Sequence, residues 1–147
     1  MDLERRRVRV TKEAIYLAAP WTARDQAKVF GERLQTLGFR ITEPWWDHRD
    51  VGVYPNEAQE EDLVELQSQA DLDIIGVESA DVMVVLQYGK SEGKSFEQGL
   101  AYIMGHPVIV VSPNGDRGSL FQYMDHYTFV DSEDAAVEVL NNGDFAR

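Results

Sequence analysis

The sequence predicts an α/β fold: a three-layer sandwich with about five parallel strands and helices on both faces. Three observations point to it. First, Ala14-Ile-Tyr-Leu-Ala18, Asp81-Val-Met-Val-Val-Leu86 and Pro107-Val-Ile-Val-Val111 are short apolar runs rich in β-branched residues, so they read as buried strands. Second, stretches with helical apolar spacing alternate with these runs along the whole chain. Third, Asp81 to Val111 alone holds strand, Gly/Ser/Lys loop, helix and strand, a unit that is right-handed and parallel in nearly all cases.

Residues 1 to about 12 are charged and read as an arm, leaving residues 13–147 as one domain. Ala14 to Ala18 is the first strand, closed by Ala19-Pro20-Trp21-Thr22. Small and rigid residues there keep the space above the strand end open. Thr22 is placed to cap a helix from Ala23 to Leu37, whose apolar face is Val29, Phe30, Leu34 and Leu37. Gly38 suits the position after its end. Phe39 to Thr42 reads as a second strand, and Glu43 to Pro55 as irregular. Asn56 to Ser79 is a long helical region. Leu63, Leu66, Ala70, Ile74 and Val77 share one face, with Asp73 at its rim. Val64, Leu72 and Ile75 form a second stripe, as in a helix that is deeply buried or shared with another subunit.

In the central unit a helix from Ser95 to Met104 turns Phe96, Leu100 and Ile103 to one side. Gly99 and Ala101 are small enough to let it lie close to the sheet. Ser112 to Gly118 is a glycine-rich loop, Ser119 to Asp125 a short helix or turn, and Tyr127 to Val130 the last strand. Ser132 caps a terminal helix carrying Ala136, Val137 and Leu140. With no repeat or linker, the order is flavodoxin-like.

The chain of 147 residues is long enough for a single core. Its net charge of −12 argues against a nucleic-acid polymer or an anionic membrane as partner, though a local phosphate site is compatible with it. Without cysteine there is no disulfide, thiolate catalysis or Cys-ligated zinc. No apolar run approaches the ~20 residues of a membrane span. Arg5, Arg6 and Arg7 precede no apolar segment, so a secretory signal is not expected and a cytoplasmic protein is.

Ligands in such sheets sit beyond the carboxyl ends of the strands. The loop after Leu86 is at that end, and Glu97 is expected in the first turn of the following helix. Helix dipole and free amides would there push its pKa downward. That character suits a nucleophile or electrostatic stabiliser, and equally an ordinary helix-start acid. Trp45, Trp46 and Tyr54, with Asp47, His48, Arg49 and Asp50, make either a base-stacking wall or a loop pinned to the core. Asp47 and His48 are adjacent but lack a third ligand at a metal spacing, so no metal site is expected there.

Three stretches together resemble the nucleoside 2-deoxyribosyltransferase family. They are Ile15-Tyr-Leu-Ala-Ala-Pro-Trp21, Asp73-Ile-Ile-Gly-Val-Glu-Ser-Ala-Asp81 and Gly93-Lys-Ser-Phe-Glu-Gln-Gly-Leu-Ala-Tyr-Ile-Met-Gly-His-Pro-Val108. The resemblance covers most of the chain and implies cleavage of an N-glycosidic bond in a nucleoside or nucleotide, with no cofactor. Glu97 would be the nucleophile, Asp73 would assist protonation of the base, and Tyr16 would hold Glu97 or the sugar. Transfer to another nucleobase is the leading expectation. Water as acceptor is the alternative, as in the related deoxynucleoside 5′-monophosphate N-hydrolases or a nucleotide or NAD glycohydrolase. A non-catalytic nucleotide-binding module is the alternative of another class. Substrate contacts are expected from Ala19, Pro20, Trp21, Trp45, Trp46, Gly89, Ser91, Glu92, Gly93 and Lys94. In the family a neighbouring subunit completes each site, here through Ser119, Gln122 and Met124 of a homo-oligomer. One departure stands out: family transferases usually have an aspartate six residues before the nucleophile, where this chain has Ser91 followed by Glu92. A serine at that offset resembles the monophosphate hydrolases, and Lys90 and Lys94 add local positive charge.

Overall fold

The computed structural model describes residues 12–51 and 60–145, so most of the charged arm, Tyr54, Pro55 and the expected start of the long helix lie outside the described residues. Five strands form one sheet: β1 (Ala14–Ala18), β2 (Arg40–Ile41), β3 (Val82–Leu86), β4 (Val108–Val111) and β5 (Tyr127–Val130). Their order is β2-β1-β3-β4-β5, and every pairing is parallel. This is the flavodoxin-like arrangement, with its switch point between β1 and β3. β1, β3 and β4 are buried along their whole length, which is why they are continuous apolar runs rather than alternating ones.

Among the described residues four α-helices complete the sandwich: α1 (Arg24–Thr36), α2 (Glu60–Ser79), α3 (Glu92–Ile103) and α4 (Glu133–Asn142). α1 starts one residue later than expected, because the chain leaves Pro20 directly into a 3₁₀ turn, Trp21–Ala23. Thr22 is inside that turn and does not cap; the cap position is Ala23, without a side-chain bond. The buried residues of α1 are Ala27, Phe30, Gly31 and Leu34, a clean i, i+3, i+4, i+7 stripe, and Val29 points to solvent instead. Gly38 follows α1 at φ +97, a conformation open to glycine at no steric cost. At the other end Ser132 caps α4 by accepting a hydrogen bond from the Ala135 amide at 3.1 Å.

The expected faces of α2 and α3 need correction. In α2 the buried residues are Gly76 and Val77, while Leu63, Val64, Leu72 and Ile75 are exposed. α3 begins at Glu92, capped by the Ser91 hydroxyl, which accepts from the Lys94 amide at 3.1 Å. Its inward residues are Lys94, Gln98 and Ala101; Phe96 and Ile103 are 63% and 78% exposed. Polar side chains can face inward because they satisfy one another. The Gln98 side-chain carbonyl accepts from the Gln122 amide at 3.0 Å and from the Tyr127 hydroxyl at 2.9 Å. Gln122 in turn accepts from Gln87 at 2.8 Å and from the Gly118 amide at 2.6 Å. Of the two small residues, Ala101 is buried as expected, but Gly99 faces open space.

Candidate active site

A cavity of about 410 Å³ opens beyond the carboxyl ends of β1 and β3, between α2 and α3. This is the place the topology assigns to a ligand, and the size suits a small molecule. Tyr16 rises into it from β1, Asp73 from α2 and Glu97 from α3. The three residues stand on separate elements, and the fold brings them together.

Tyr16 is 1% exposed, and its hydroxyl donates a hydrogen bond to Glu97 Oε2 across 81 positions of sequence. Burial and the neighbouring carboxylates push the Tyr16 pKa far above its usual value, so the hydroxyl is a permanent donor. Glu97 is in the second turn of α3, because the helix starts earlier than the sequence suggested. The dipole fades beyond the first turn. The expected downward shift is therefore overturned: burial lifts the Glu97 carboxyl to about 8, the Tyr16 hydrogen bond opposes this, and Asp73 adds to it. Asp73 is raised to about 6, chiefly by burial, with His48 opposing and Glu43 reinforcing. Two carboxyls thus face one cavity at different pKa values, the higher on Glu97, so in the free site Glu97 keeps its proton to higher pH than Asp73 does.

Gly76 lets α2 approach this closely. A Cβ there would stand 2.7 Å from Glu43 Cβ and 3.0 Å from Tyr16 Cδ2. The Thr42 hydroxyl donates to the Gly76 carbonyl at 2.6 Å and ties the end of β2 to the same turn. Glu43 Oε1 then accepts from His48 Nε2 at 2.8 Å, and His48 Nδ1 lies 4.0 Å from Asp73 Oδ1. The sequence offered His48 no third ligand. The fold supplies Glu43 and Asp73, with one ligand atom from each of the three within 4.8 Å of the others.

Of the expected substrate contacts, Ala19, Trp21, Trp45, Ser91, Gly93 and Lys94 line the cavity. Trp21 and Trp45 form a tilted aromatic wall, ring centroids 6.1 Å apart, and the Trp45 indole donates to the Leu17 carbonyl at 2.6 Å. Trp46 does not line the cavity. It packs on α1, where a Cβ on Gly31 would meet its ring at 2.5 Å, so the pinned-loop reading holds for this residue. Pro20, Gly89 and Glu92 are also outside the lining. Gly89 turns the loop at φ +156, and its carbonyl accepts from Lys94 Nζ at 2.7 Å. Ser119, Gln122 and Met124 do not reach this chain's cavity, and Gln122 is 2% exposed and bonded within its own chain.

Arg49 and Asp50, polar groups of the expected base-stacking wall, also line the cavity; sequence reasoning missed Val51, Leu66, Gln69, Ala70, Ile74, Phe96 and Leu100 as lining residues. The stripe Leu66, Ala70 and Ile74 was visible, but a cavity wall and a core have the same periodicity. Gln69 donates to the Arg49 carbonyl at 2.9 Å and fixes the loop after Trp46 onto α2.

Fold and site thus define an α/β protein with a carboxyl-centred small-molecule pocket at the topological switch point. The chain belongs to the nucleoside 2-deoxyribosyltransferase family, whose model matches residues 15–139. Members of this family act on nucleosides or nucleotides at the glycosidic bond. Among solved structures, the 2-deoxyribosyltransferase of Bacillus psychrosaccharolyticus superposes with TM-score 0.57 at 20% identity, over 84% of this chain and 89% of that one. The CMP N-glycosidase of Clostridium botulinum superposes with TM-score 0.52 at 16% identity, over 88% and 98%. At these identities the likeness is one of fold. No curated protein matches the chain. Among the described residues no helix is long and apolar enough to cross a membrane.

Proposed function

We propose that the protein cleaves the N-glycosidic bond of a 2′-deoxynucleoside or its 5′-monophosphate by double displacement, and passes the sugar to a second nucleobase. The observation that supports this best is the Tyr16 hydroxyl bonded to Glu97 in a cavity shared with Asp73. In the first step a Glu97 carboxylate oxygen bonds to the anomeric carbon. The C–N electron pair leaves with the base, whose nitrogen takes the Asp73 proton. In the second step the incoming base attacks the anomeric carbon, returns its proton to Asp73 and frees Glu97. Tyr16 keeps one Glu97 oxygen engaged, leaving the other for bond formation. Trp21 and Trp45 offer faces for the base.

Water as acceptor, with a monophosphate substrate, is favoured by one separate feature. The Ser91 oxygen accepts from the Lys94 amide, which leaves its O–H to donate into the cavity. The buried Lys94 amine is held by the neutral oxygens of Gly89 and Gln87, at 2.7 and 3.1 Å. Among the described residues no carboxylate pairs with it, so a phosphate would supply the missing charge. We also propose that the protein is a homo-oligomer in which the segment around Ser119 and Met124 completes a neighbour's site. Gln122, buried at home, would act only by shaping that segment. The deciding experiment incubates deoxynucleosides and their 5′-monophosphates with and without a free acceptor base and separates the released bases and new nucleosides by chromatography. Exchange that requires the acceptor supports transfer, release without it supports hydrolysis, and no release from any substrate refutes both.

A further inference from the structure

His48 and Glu43 lie outside the pair of carboxyls that carries the proposed reaction, yet they are built against Asp73. Asp73 Oδ1 is buried and has no hydrogen-bond partner among the described residues. His48 Nδ1 stands 4.0 Å from it, and the other ring nitrogen is engaged by Glu43 Oε1 at 2.8 Å. The imidazole therefore lies between two carboxyl groups, one at each nitrogen. A single cation could take only one of those nitrogens, so the arrangement suits a proton-bearing clamp better than a chelate.

We infer that His48, oriented by Glu43, is the positioning residue for Asp73. The inference rests on the proposed glycosidic cleavage with Asp73 as proton donor. An imidazole facing Oδ1 keeps that oxygen turned into the protein and leaves the second oxygen to carry the proton toward the leaving base. When the C–N electron pair departs and the base nitrogen takes that proton, the carboxylate left on Asp73 faces the imidazole rather than an apolar wall. The proton returns to Asp73 when the acceptor, water or a second base, gives up its own. Glu43 plays toward the ring the part an outer carboxylate plays toward a functional histidine, fixing its orientation; the ring serves Asp73 in the form that carries an N–H on each nitrogen, one toward each carboxyl.

The other groups near the ring are accounted for. Asp47, beside it, pairs with Lys28 at 3.6 Å, and Arg49 pairs with Asp62 of α2 at 3.1 Å. Asp50 follows on the same segment, while Tyr16 of β1 and Glu97 of α3 lie across the cavity beyond Asp73. Among the described residues, Glu43 and Asp73 are the acids in ion-pair reach of the ring.

Two measurements test the assignment. In a carboxyl-carbon NMR titration, His48→Gln should shift Asp73 upward in pKa, because the imidazole favours its ionised form; Glu43→Gln should shift it the other way. This arm needs no turnover, so it remains decisive even if the protein releases no base and the glycosidic reading fails. In base-release kinetics, His48→Gln should lower kcat at least about tenfold with KM little changed, a share of what general acid catalysis supplies. In an Asp73→Asn background the same substitution should cost nothing further. An unmoved Asp73 titration in folded His48→Gln overturns the inference, as do losses that add fully in the double variant. Base release that chelator abolishes and a divalent cation restores would make the cluster a metal centre and likewise overturn it.

Discussion

Replacing Glu97 by Gln probes the burial of the nucleophile and its chemistry with one variant. Burial lifts this carboxyl from its ordinary 4.5 to about 8 in the folded protein. The unfolded chain releases the proton near 4.5, so between these values the folded state holds a proton that the unfolded state has lost. The stabilisation tied to that proton is fully present below pH 4.5 and disappears as pH rises through about 8. At about 1.4 kcal/mol per pH unit, and discounted for the partial exposure of the side chain, the loss by pH 9 is roughly 3–4 kcal/mol. Gln carries no charge at any pH, and its carbonyl can still accept from Tyr16. The variant should therefore match the parent near pH 5 and exceed it by that amount at pH 9. Urea denaturation at pH 5, 7 and 9 measures the difference. A gap independent of pH, or a less stable variant at pH 9, refutes the burial argument. Base release by the same samples should fall by several orders of magnitude, and near-normal turnover by folded Glu97→Gln would show that another group is the nucleophile.

Base release should give a bell-shaped kcat/KM profile with limbs at about 6 and about 8 and a maximum near pH 7; because the higher value belongs to Glu97, the reacting form with Asp73 protonated and Glu97 ionised is a minor one at every pH, and bound substrate must favour it. A rate climbing steadily to pH 10 contradicts this. Tyr16→Phe removes the hydrogen bond that favours ionised Glu97, so the limb belonging to Glu97 should move to higher pH; an unmoved limb argues against the contact. Gly76→Ala should destabilise the fold by about 1–3 kcal/mol and lower turnover as well, because its new Cβ strikes Glu43 and Tyr16; unchanged melting and activity would show that α2 can retreat freely. Leu63, Val64, Leu72 and Ile75 on α2 and Phe96 and Ile103 on α3 are exposed apolar residues, which a homo-oligomer would cover. Sedimentation should show a species larger than 16.7 kDa at micromolar concentration, and a fully active monomer would end that proposal.

The strands were legible because a strand buried on both faces must be apolar throughout: β1 has the expected limits, and β3 and β4 differ by one residue at their starts. The inward face of α3 was not, because apolar spacing says nothing of an interior in which Gln98, Gln122 and Tyr127 satisfy one another. Glu97 could be located by motif, but its charge could not be judged. The sequence shows a nearby helix start, whereas the pKa follows from the enclosure supplied by β1 and α2. His48 was visible as a polar residue in a loop. Its meaning depends on Glu43 and Asp73, 5 and 25 positions away on either side, and only the turn after β2 against α2 brings them together.

Tyr16 belongs both to the most buried layer of the sheet and to the cavity. The hydroxyl that steadies Glu97 is thus mounted on a residue that cannot shift unless β1 shifts, whereas Trp21, Arg49, Asp50 and Val51 stand on connecting segments that can vary in length and composition without disturbing the sheet. Chemistry and selectivity are therefore separable by engineering. Exchanging the segments around Trp21 and after His48, with His48 itself kept, should redirect the choice of base while conserving the reaction. Changes to β1 should forfeit activity and thermal tolerance together, so that inactivation and melting follow a single temperature curve.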